Sequence, residues 1–221
     1  MVVSKRAKQE SDMRTVYIQT WSKQTHMNDE PAWVNPFHAQ VFGIYTLGDL
    51  NPEPTAFVVA PSQKVELNSA RVVCCQDEGE LLKQFWAFYK TSPPETVATY
   101  NGRKHAIPCL YWRSSVNRVE IANPDLLHDR YKPGPHVDLA EVLTYHGLLR
   151  IPPLEVVATN TGISMPGLVE GDTVQQLILA NLAAPNSAML QMLAKSGIEY
   201  ARTISQLAAH WRKHLQATAY R

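Results

Sequence analysis

The order of strand-like and helix-like segments is the feature that most limits what this chain can fold into. Four segments with the β-branched and aromatic composition of strands come first, at residues 15–21, 40–47, 56–61 and 71–75. A helical segment follows, then a short fifth strand at residues 96–99, and the rest of the chain reads as helices and loops. This order predicts an α/β domain with a mixed sheet flanked by helices and a helical C-terminal part.

The first helical segment has clear signals at both ends. Asp77 stands at the cap position, and Glu78 and Glu80 place negative charge in the first turn, where the helix dipole favours it. Apolar side chains recur along one face of the segment, and Pro93 ends it. Further helices are predicted at residues 107–116, 138–145, 153–159, 172–184 and 187–215, with loops at 123–136 and 162–171.

Length and charge restrict the class of protein. With 221 residues, we expect one domain over residues 14–221, preceded by a flexible tail at residues 1–13. The hydrophobic fraction of 45% and the charged fraction of 19% are ordinary for a globular protein. A net charge of +1 argues against a protein that coats nucleic acid, although it leaves room for a local basic groove.

The cysteines and the longest apolar runs bear on the compartment. Three cysteines, two of them adjacent at Cys74 and Cys75, fit neither a disulfide framework nor a zinc site, so we expect a reducing, cytoplasmic setting. No apolar run approaches the roughly 20 residues that a membrane helix needs. The polar first residues lack the apolar core of a secretory signal.

Four segments, taken in order, resemble a known family. They are TVYIQT on the first strand, TVATYNGRKHAIPCLYWR after the first helix, HVDLAEVLTYHG in the middle, and LAKSGIEYART on the last helix. They resemble the motifs of the DEDD-type 3′–5′ exonucleases, in particular the group related to the proofreading domain of family B DNA polymerases. The resemblance implies a ribonuclease-H-like fold over nearly the whole chain.

The resemblance also implies four carboxylates that hold two divalent metals, and three of these carboxylates are missing. The first acid would fall at Tyr17, the second at Gln19 and the third at Ala106, whereas the fourth position holds Glu199. Lys195 replaces the tyrosine that the family has four residues before the fourth acid. Because two close divalent ions need several anionic ligands, we expect no bound metal, no other cofactor and no hydrolysis.

The remaining groups of the family pattern favour substrate binding. In such enzymes an Asn-Gly turn approaches the terminal nucleotide, and Asn101 and Gly102 retain it. The resemblance thus predicts a catalytically inactive protein that binds single-stranded DNA or RNA. The positive charge would come from five residues: Arg103, Lys104, His105, Lys195 and Arg202. Four aromatic side chains could stack on unpaired bases: Tyr17, Trp21, Tyr100 and Trp112.

Other interpretations stay open at this point. Tyr17 could equally be core filler, and the basic run after Gly102 could be a solvated turn. A nuclease fold without metals could serve as a protein-interaction scaffold in a replication, conjugation or phage complex, with Trp33 and Phe37 as contacts. A third hypothesis is residual hydrolysis by one metal held on Glu199 and Asp138.

Overall fold

A computed structural model of the protein describes residues 15–24, 35–49, 53–128, 134–169 and 171–215. Its six strands form one sheet in the order β4-β3-β2-β1-β5-β6. The strands are β1 (Thr15–Gln24), β2 (Ala39–Gly48), β3 (Thr55–Val59), β4 (Arg71–Cys75), β5 (Thr96–Thr99) and β6 (His136–Asp138). The first three strands pair antiparallel, whereas β4 runs parallel to β3, and β5 and β6 continue parallel to β1. The predicted mixed sheet is confirmed.

Helices cover both faces of this sheet. They are α1 (Glu78–Thr91), α2 (Ala106–Val116), α3 (Leu139–Leu143), α4 (Leu154–Asn160), α5 (Gly171–Ala183) and α6 (Ser187–His214). The cap predicted at Asp77 is present, since its side chain accepts a hydrogen bond of 2.8 Å from the backbone N–H of Glu80. Within the described residues, no helix is both long and apolar enough to cross a bilayer.

The structure departs from the predicted elements at three places. Strand β1 continues to Gln24, three residues beyond its predicted end, with a β-bulge between Trp21 and Ser22. Strand β6 falls partly in a predicted loop. Asp138 is the cap of α3 and not its first residue, because its backbone is extended and its side chain accepts from Ala140 N. The predicted tail at residues 1–13, residues 25–34, and residues 129–133 of the predicted loop at 123–136 lie outside the described residues.

The two faces of β1 belong to different layers of the core. Ile18 packs with buried side chains of α1 and α2, such as Leu81 and Leu110. Tyr17 and Trp21 point to the opposite face, which α6 covers. As a result, every second residue of β1 faces the helix that carries the predicted fourth acid.

Helix α6 makes an unusually close approach to β2 at Gly197. A Cβ atom on this glycine would lie 2.5 Å from ring atoms of Tyr45, closer than side chains pack. The Tyr45 ring is fully buried there. Gly197 therefore allows the ring and the helix backbone to touch.

Candidate functional site

Helix α6 passes over β1 where the family resemblance places the first, second and fourth acids. Tyr17, Gln19 and Trp21 alternate onto the face of β1 that α6 covers. The ring of Tyr200, the residue after Glu199, lies 6.1 Å from the ring of Trp21. Three residues further along α6 pack in one cluster with Tyr17: Ile204, Leu207 and Ala208. Tyr17 and the helix that carries Glu199 thus lie on the same side of the sheet.

Tyr17, at the first acid position, is part of the protein core. Its side chain is fully buried, and its hydroxyl donates a hydrogen bond of 2.7 Å to Oδ1 of Asp49. The same hydroxyl accepts a bond of 2.9 Å from Nη2 of Arg212, whose Nη1 lies 3.9 Å from Asp49 Oδ2. Burial, reinforced by Asp49, raises the pKa of the Tyr17 phenol, so the phenol is neutral at physiological pH.

This burial corrects the expectation that Tyr17 and Trp21 offer stacking surfaces. Trp21 is only 6% exposed and packs edge-on against the ring of Tyr45. Neither ring is accessible to a base. The interpretation of Tyr17 as core filler is the one that the structure favours.

The other three acid positions do not assemble a metal site either. Gln19 is half-buried, and its amide donates to the neighbouring carbonyl of Thr20 at 3.3 Å. Ala106 is buried as the first residue of α2, and Glu199 pairs with Arg202 at 3.5 Å. In the described part of the chain, no three His, Cys, Asp or Glu side chains come together to hold an ion. The donors present do not fit a two-metal centre.

The Asn-Gly turn, defined here as residues 100–105, follows β5 next to β1. Asn101 adopts a left-handed backbone with φ of 55°, a conformation that asparagine tolerates better than most residues. A Cβ on Gly102 would lie 2.3 Å from Oγ1 of Thr99, so a larger residue would not fit without displacing β5. The backbone N–H of Ile107 bonds to the carbonyl of Gly102 at 2.9 Å and joins the turn to α2.

Two residues of the predicted basic run are engaged inside the protein. Arg103 bonds through Nε to Oε2 of Glu141 at 2.9 Å and through Nη1 to the carbonyl of His128 at 2.8 Å. Nε2 of His105 lies 3.3 Å from the hydroxyl of Ser22, and burial lowers the pKa of His105 to about 4. His105 is therefore neutral near pH 7, and both side chains differ from the free cations that the sequence predicted.

The remaining predicted contacts are more accessible. Lys104 and Lys195 are exposed, and Arg202 is partly exposed beside Glu199. Trp112 on α2 is also exposed, but its ring lies against the ring of Phe37 with centroids 4.6 Å apart. Lys104 and Lys195 are thus the two cations of the predicted set that are most open to a ligand.

The structure also brings in residues that the sequence did not assign to a site. Asp49 and Arg212 stabilise the hydroxyl of Tyr17, and Glu141 neutralises Arg103. For Glu141 a signal was available, because an acid three residues after the cap Asp138 resembles a capping box. The sequence carried no comparable signal for Asp49 and Arg212.

Asp138 was considered as a metal ligand, and its contacts are of another kind. The carboxylate is 2% exposed. Oδ1 accepts from the backbone N–H of Asn101 at 2.7 Å, and Oδ2 accepts from that of Arg103 at 2.9 Å. Both oxygens thus serve the Asn-Gly turn.

Comparisons with known proteins show a similar fold and a matching family. The family B DNA polymerase from the hyperthermophilic archaeon Pyrobaculum calidifontis matches 90% of this chain with a TM-score of 0.63 and 15% identity, and the match spans 24% of the polymerase chain. At that identity the likeness shows the fold alone. No curated protein matches the sequence.

A family model described as a predicted 3′–5′ exonuclease related to the exonuclease domain of PolB matches residues 55–184, which contain the Asn-Gly turn and Asp138. With more than half of its residues matched, the chain belongs to this family of predicted exonucleases related to the PolB exonuclease domain.

Proposed function

We propose that this protein is a catalytically inactive member of its family that binds single-stranded DNA or RNA. The observation that carries the proposal is the environment of Tyr17. At the position of the first metal-binding acid stands a buried neutral phenol, whose hydroxyl is already bonded to the carboxylate of Asp49 and to the guanidinium of Arg212. A divalent ion there would meet one carboxylate that already has a cationic partner, instead of a set of free carboxylates.

The fourth acid position supports the same conclusion. Glu199 is the one acidic occupant of the four positions, and its carboxylate already has a cationic partner in Arg202. Two-metal hydrolysis depends on ions that stabilise the attacking and leaving oxygens, and one paired carboxylate is not enough to hold two such ions. Replacing carboxylates also removes charge that would repel a phosphate.

Binding rests on what remains at the edge of the site. Gly102 itself is buried against the side chain of Thr99, so the turn would meet a ligand through its accessible side chains. Lys104 beside it and Lys195 on α6 are exposed, and each can contribute one phosphate contact. With two such cations, we expect modest affinity and a shallow salt dependence, with a slope of log affinity against log salt of about two or less.

The test is fluorescence anisotropy of a labelled single-stranded oligonucleotide at about 50 mM and about 200 mM salt, first in EDTA and then with Mn²⁺. We expect salt-sensitive binding that is stable over time in both conditions. A signal that decays only after Mn²⁺ is added would show cleavage and refute inactivity. DNA and RNA oligonucleotides of equal sequence identify the preferred substrate.

A pair of double variants tests where the strand binds. Lys104→Ala with Lys195→Ala should weaken binding and reduce the slope of log affinity against log salt by about two. Lys64→Ala with Lys90→Ala is the matched control, because it removes the same charge from lysines that pair with Glu66 and Glu120. Equal losses in both double variants would mean that binding is non-specific.

A second candidate function is a protein-interaction scaffold. One observation favours it: Phe37 is 61% exposed and forms an aromatic pair with the exposed Trp112. Trp33, predicted to act with Phe37, lies outside the described residues. If no oligonucleotide binds under any condition, Trp112→Ala in a pull-down becomes the decisive experiment, since a partner that depends on this pair would be lost.

A further inference from the structure

The Asn-Gly turn is hydrogen-bonded to Asp138, the last residue of β6. Oδ1 of Asp138 accepts hydrogen bonds from the backbone N–H of Asn101 at 2.7 Å and of Ala140 at 3.1 Å. Oδ2 accepts from the backbone N–H of Arg103 at 2.9 Å. One buried carboxylate therefore fixes both sides of Gly102 and caps α3 at the same time.

The side chains of the turn and of its neighbours reinforce this arrangement. Arg103 turns away from solvent and pairs with Glu141, whose side chain is 5% exposed. On β5, Oγ1 of Thr99 lies 2.8 Å from Nε2 of His136 on β6. The end of β5 is thus bonded to β6 through Thr99, and the Asn-Gly turn that follows is bonded to the start of α3 through Arg103.

The chemistry of these contacts requires a carboxylate at position 138. Three backbone N–H groups point at the two oxygens, and both oxygens must accept. An asparagine of the same shape would turn one acceptor into a donor and leave one amide without its partner. The loss is large for a buried group, since charge-assisted hydrogen bonds are the stronger kind.

From this geometry we infer that Asp138 is the positioning residue of the nucleic-acid site: its carboxylate shapes the Asn-Gly turn so that Asn101 and Lys104 meet a phosphate of the bound strand. This inference rests on the proposed function. Asp138 itself is buried and does not touch the ligand. It acts through the backbone of Asn101 and Arg103.

The experiment compares Asp138→Asn with a matched variant, Glu78→Gln. Glu78 is also a carboxylate with little exposure, 11% of its side chain, and it accepts a hydrogen bond from the backbone N–H of Val41 and pairs with Arg113. Its partner Arg113 lies two turns along α2 from the Asn-Gly turn, about 10 Å away by helix geometry. Both variants should lower thermal stability. Only Asp138→Asn should weaken oligonucleotide binding, by about tenfold.

Two readouts separate positioning from general destabilisation. In amide hydrogen-exchange NMR, Asp138→Asn should abolish the protection of the Asn101 or Arg103 N–H, whereas Glu78→Gln should leave both protected. Lys104→Ala should reduce the salt slope by about one in the wild-type protein and leave it unchanged in Asp138→Asn. That loss of coupling is not expected from a merely less stable protein.

The outcomes are distinguishable. If wild-type protein binds and Asp138→Asn binds equally well with an unprotected turn, the positioning role is refuted. If both amides stay protected in Asp138→Asn, the carboxylate does not hold the turn and the inference is also refuted. Absence of wild-type binding would overturn the proposed function and, with it, the phosphate-positioning role, while the amide exchange would still report whether Asp138 holds the turn.

Discussion

The first acid position on β1 and the Asn-Gly turn after β5 lie on neighbouring parallel strands, and they have diverged from the family pattern to different degrees. At β1, Tyr17 has become part of the core and its hydroxyl is held by Asp49 and Arg212. At the turn, the carboxylate of Asp138 still determines the backbone shape. The comparison teaches that these two regions depend on different partners, so that one can change without disturbing the other.

The largest expected effect comes from Tyr17→Asp, which would return the first acid. We expect the free energy of unfolding to fall by about 4 kcal/mol, because the variant empties a buried ring position and places a second carboxylate beside Asp49. Urea unfolding followed by tryptophan fluorescence measures this. Tyr17→Phe keeps the ring and should cost about 1 kcal/mol. A fully stable Tyr17→Asp that binds Mn²⁺ would erase the contrast between the two regions.

The next effect concerns Arg103, whose removal should act on stability before binding. Arg103→Ala removes the guanidinium that pairs with the buried Glu141 carboxylate, and we expect a loss of about 3 kcal/mol in the free energy of unfolding. Lys104→Ala, one residue away but exposed, should change stability by less than about 0.5 kcal/mol. Were Arg103→Ala as stable as the wild type, Arg103 would have to be reassigned as a phosphate contact.

A smaller effect should appear as a pH dependence. Burial lowers the pKa of His105 to about 4 and that of His136 to about 3, both below the ordinary 6.5. The unfolded chain therefore takes up these protons first, and stability present above pH 6.5 is lost as pH falls towards 4. Each histidine contributes up to about 1.4 kcal/mol per pH unit.

Asp138 opposes this dependence without cancelling it. Burial raises the pKa of Asp138 above its ordinary 3.8, so its ionisation costs stability as pH rises. One carboxyl against two histidines leaves a net loss on acidification. Urea titrations between pH 7 and pH 4 measure the slope, and His105→Gln should reduce it. An unchanged slope in that variant would mean that His105 is protonated in the folded protein.

The smallest effect is expected at the fourth acid. Glu199→Gln frees Arg202 from its partner and removes a negative charge from the same helix as Lys195, so oligonucleotide affinity should rise about two- to fivefold. Glu95→Gln is the control, because Glu95 is exposed at the start of β5, the end away from the Asn-Gly turn. Affinity that falls in Glu199→Gln would point to a remaining role for the carboxylate, such as metal binding.

Local signals in the sequence were enough to predict most of the helices and strands. Helix α1 was predictable because its cap, its acidic first turn and its apolar face all lie within 14 residues. Strand β6 was not, because its three residues have no pattern of their own and form a strand only by pairing with β5, some 40 residues earlier. The predicted chain order of motifs was nevertheless sufficient to indicate the family.

The site was less predictable, since the decisive partners are distant in sequence. Whether Tyr17 is a stacking surface or core depends on Asp49 and on Arg212, which lies 195 residues away. Likewise, the sequence around Arg103 looks like a solvated basic turn, and only the fold places Glu141 beside it. Lys104 and Lys195 are exposed and form no such buried ion pair with the residues that the structure describes, so no distant partner decides their environment there.

The contact between Gly197 and the ring of Tyr45 has a consequence for the reach of the ligand site. Lys195 and Glu199 stand two residues to either side of this glycine. A helix that meets an aromatic ring at a bare backbone can neither slide nor rotate by one residue without collision. The Tyr45 ring therefore fixes the position of α6, and with it the distance from Lys195 and Glu199 to the Asn-Gly turn after β5. For the proposed nucleic-acid binding, this fixed distance would limit how many nucleotides can bridge Lys195 and the Asn-Gly turn.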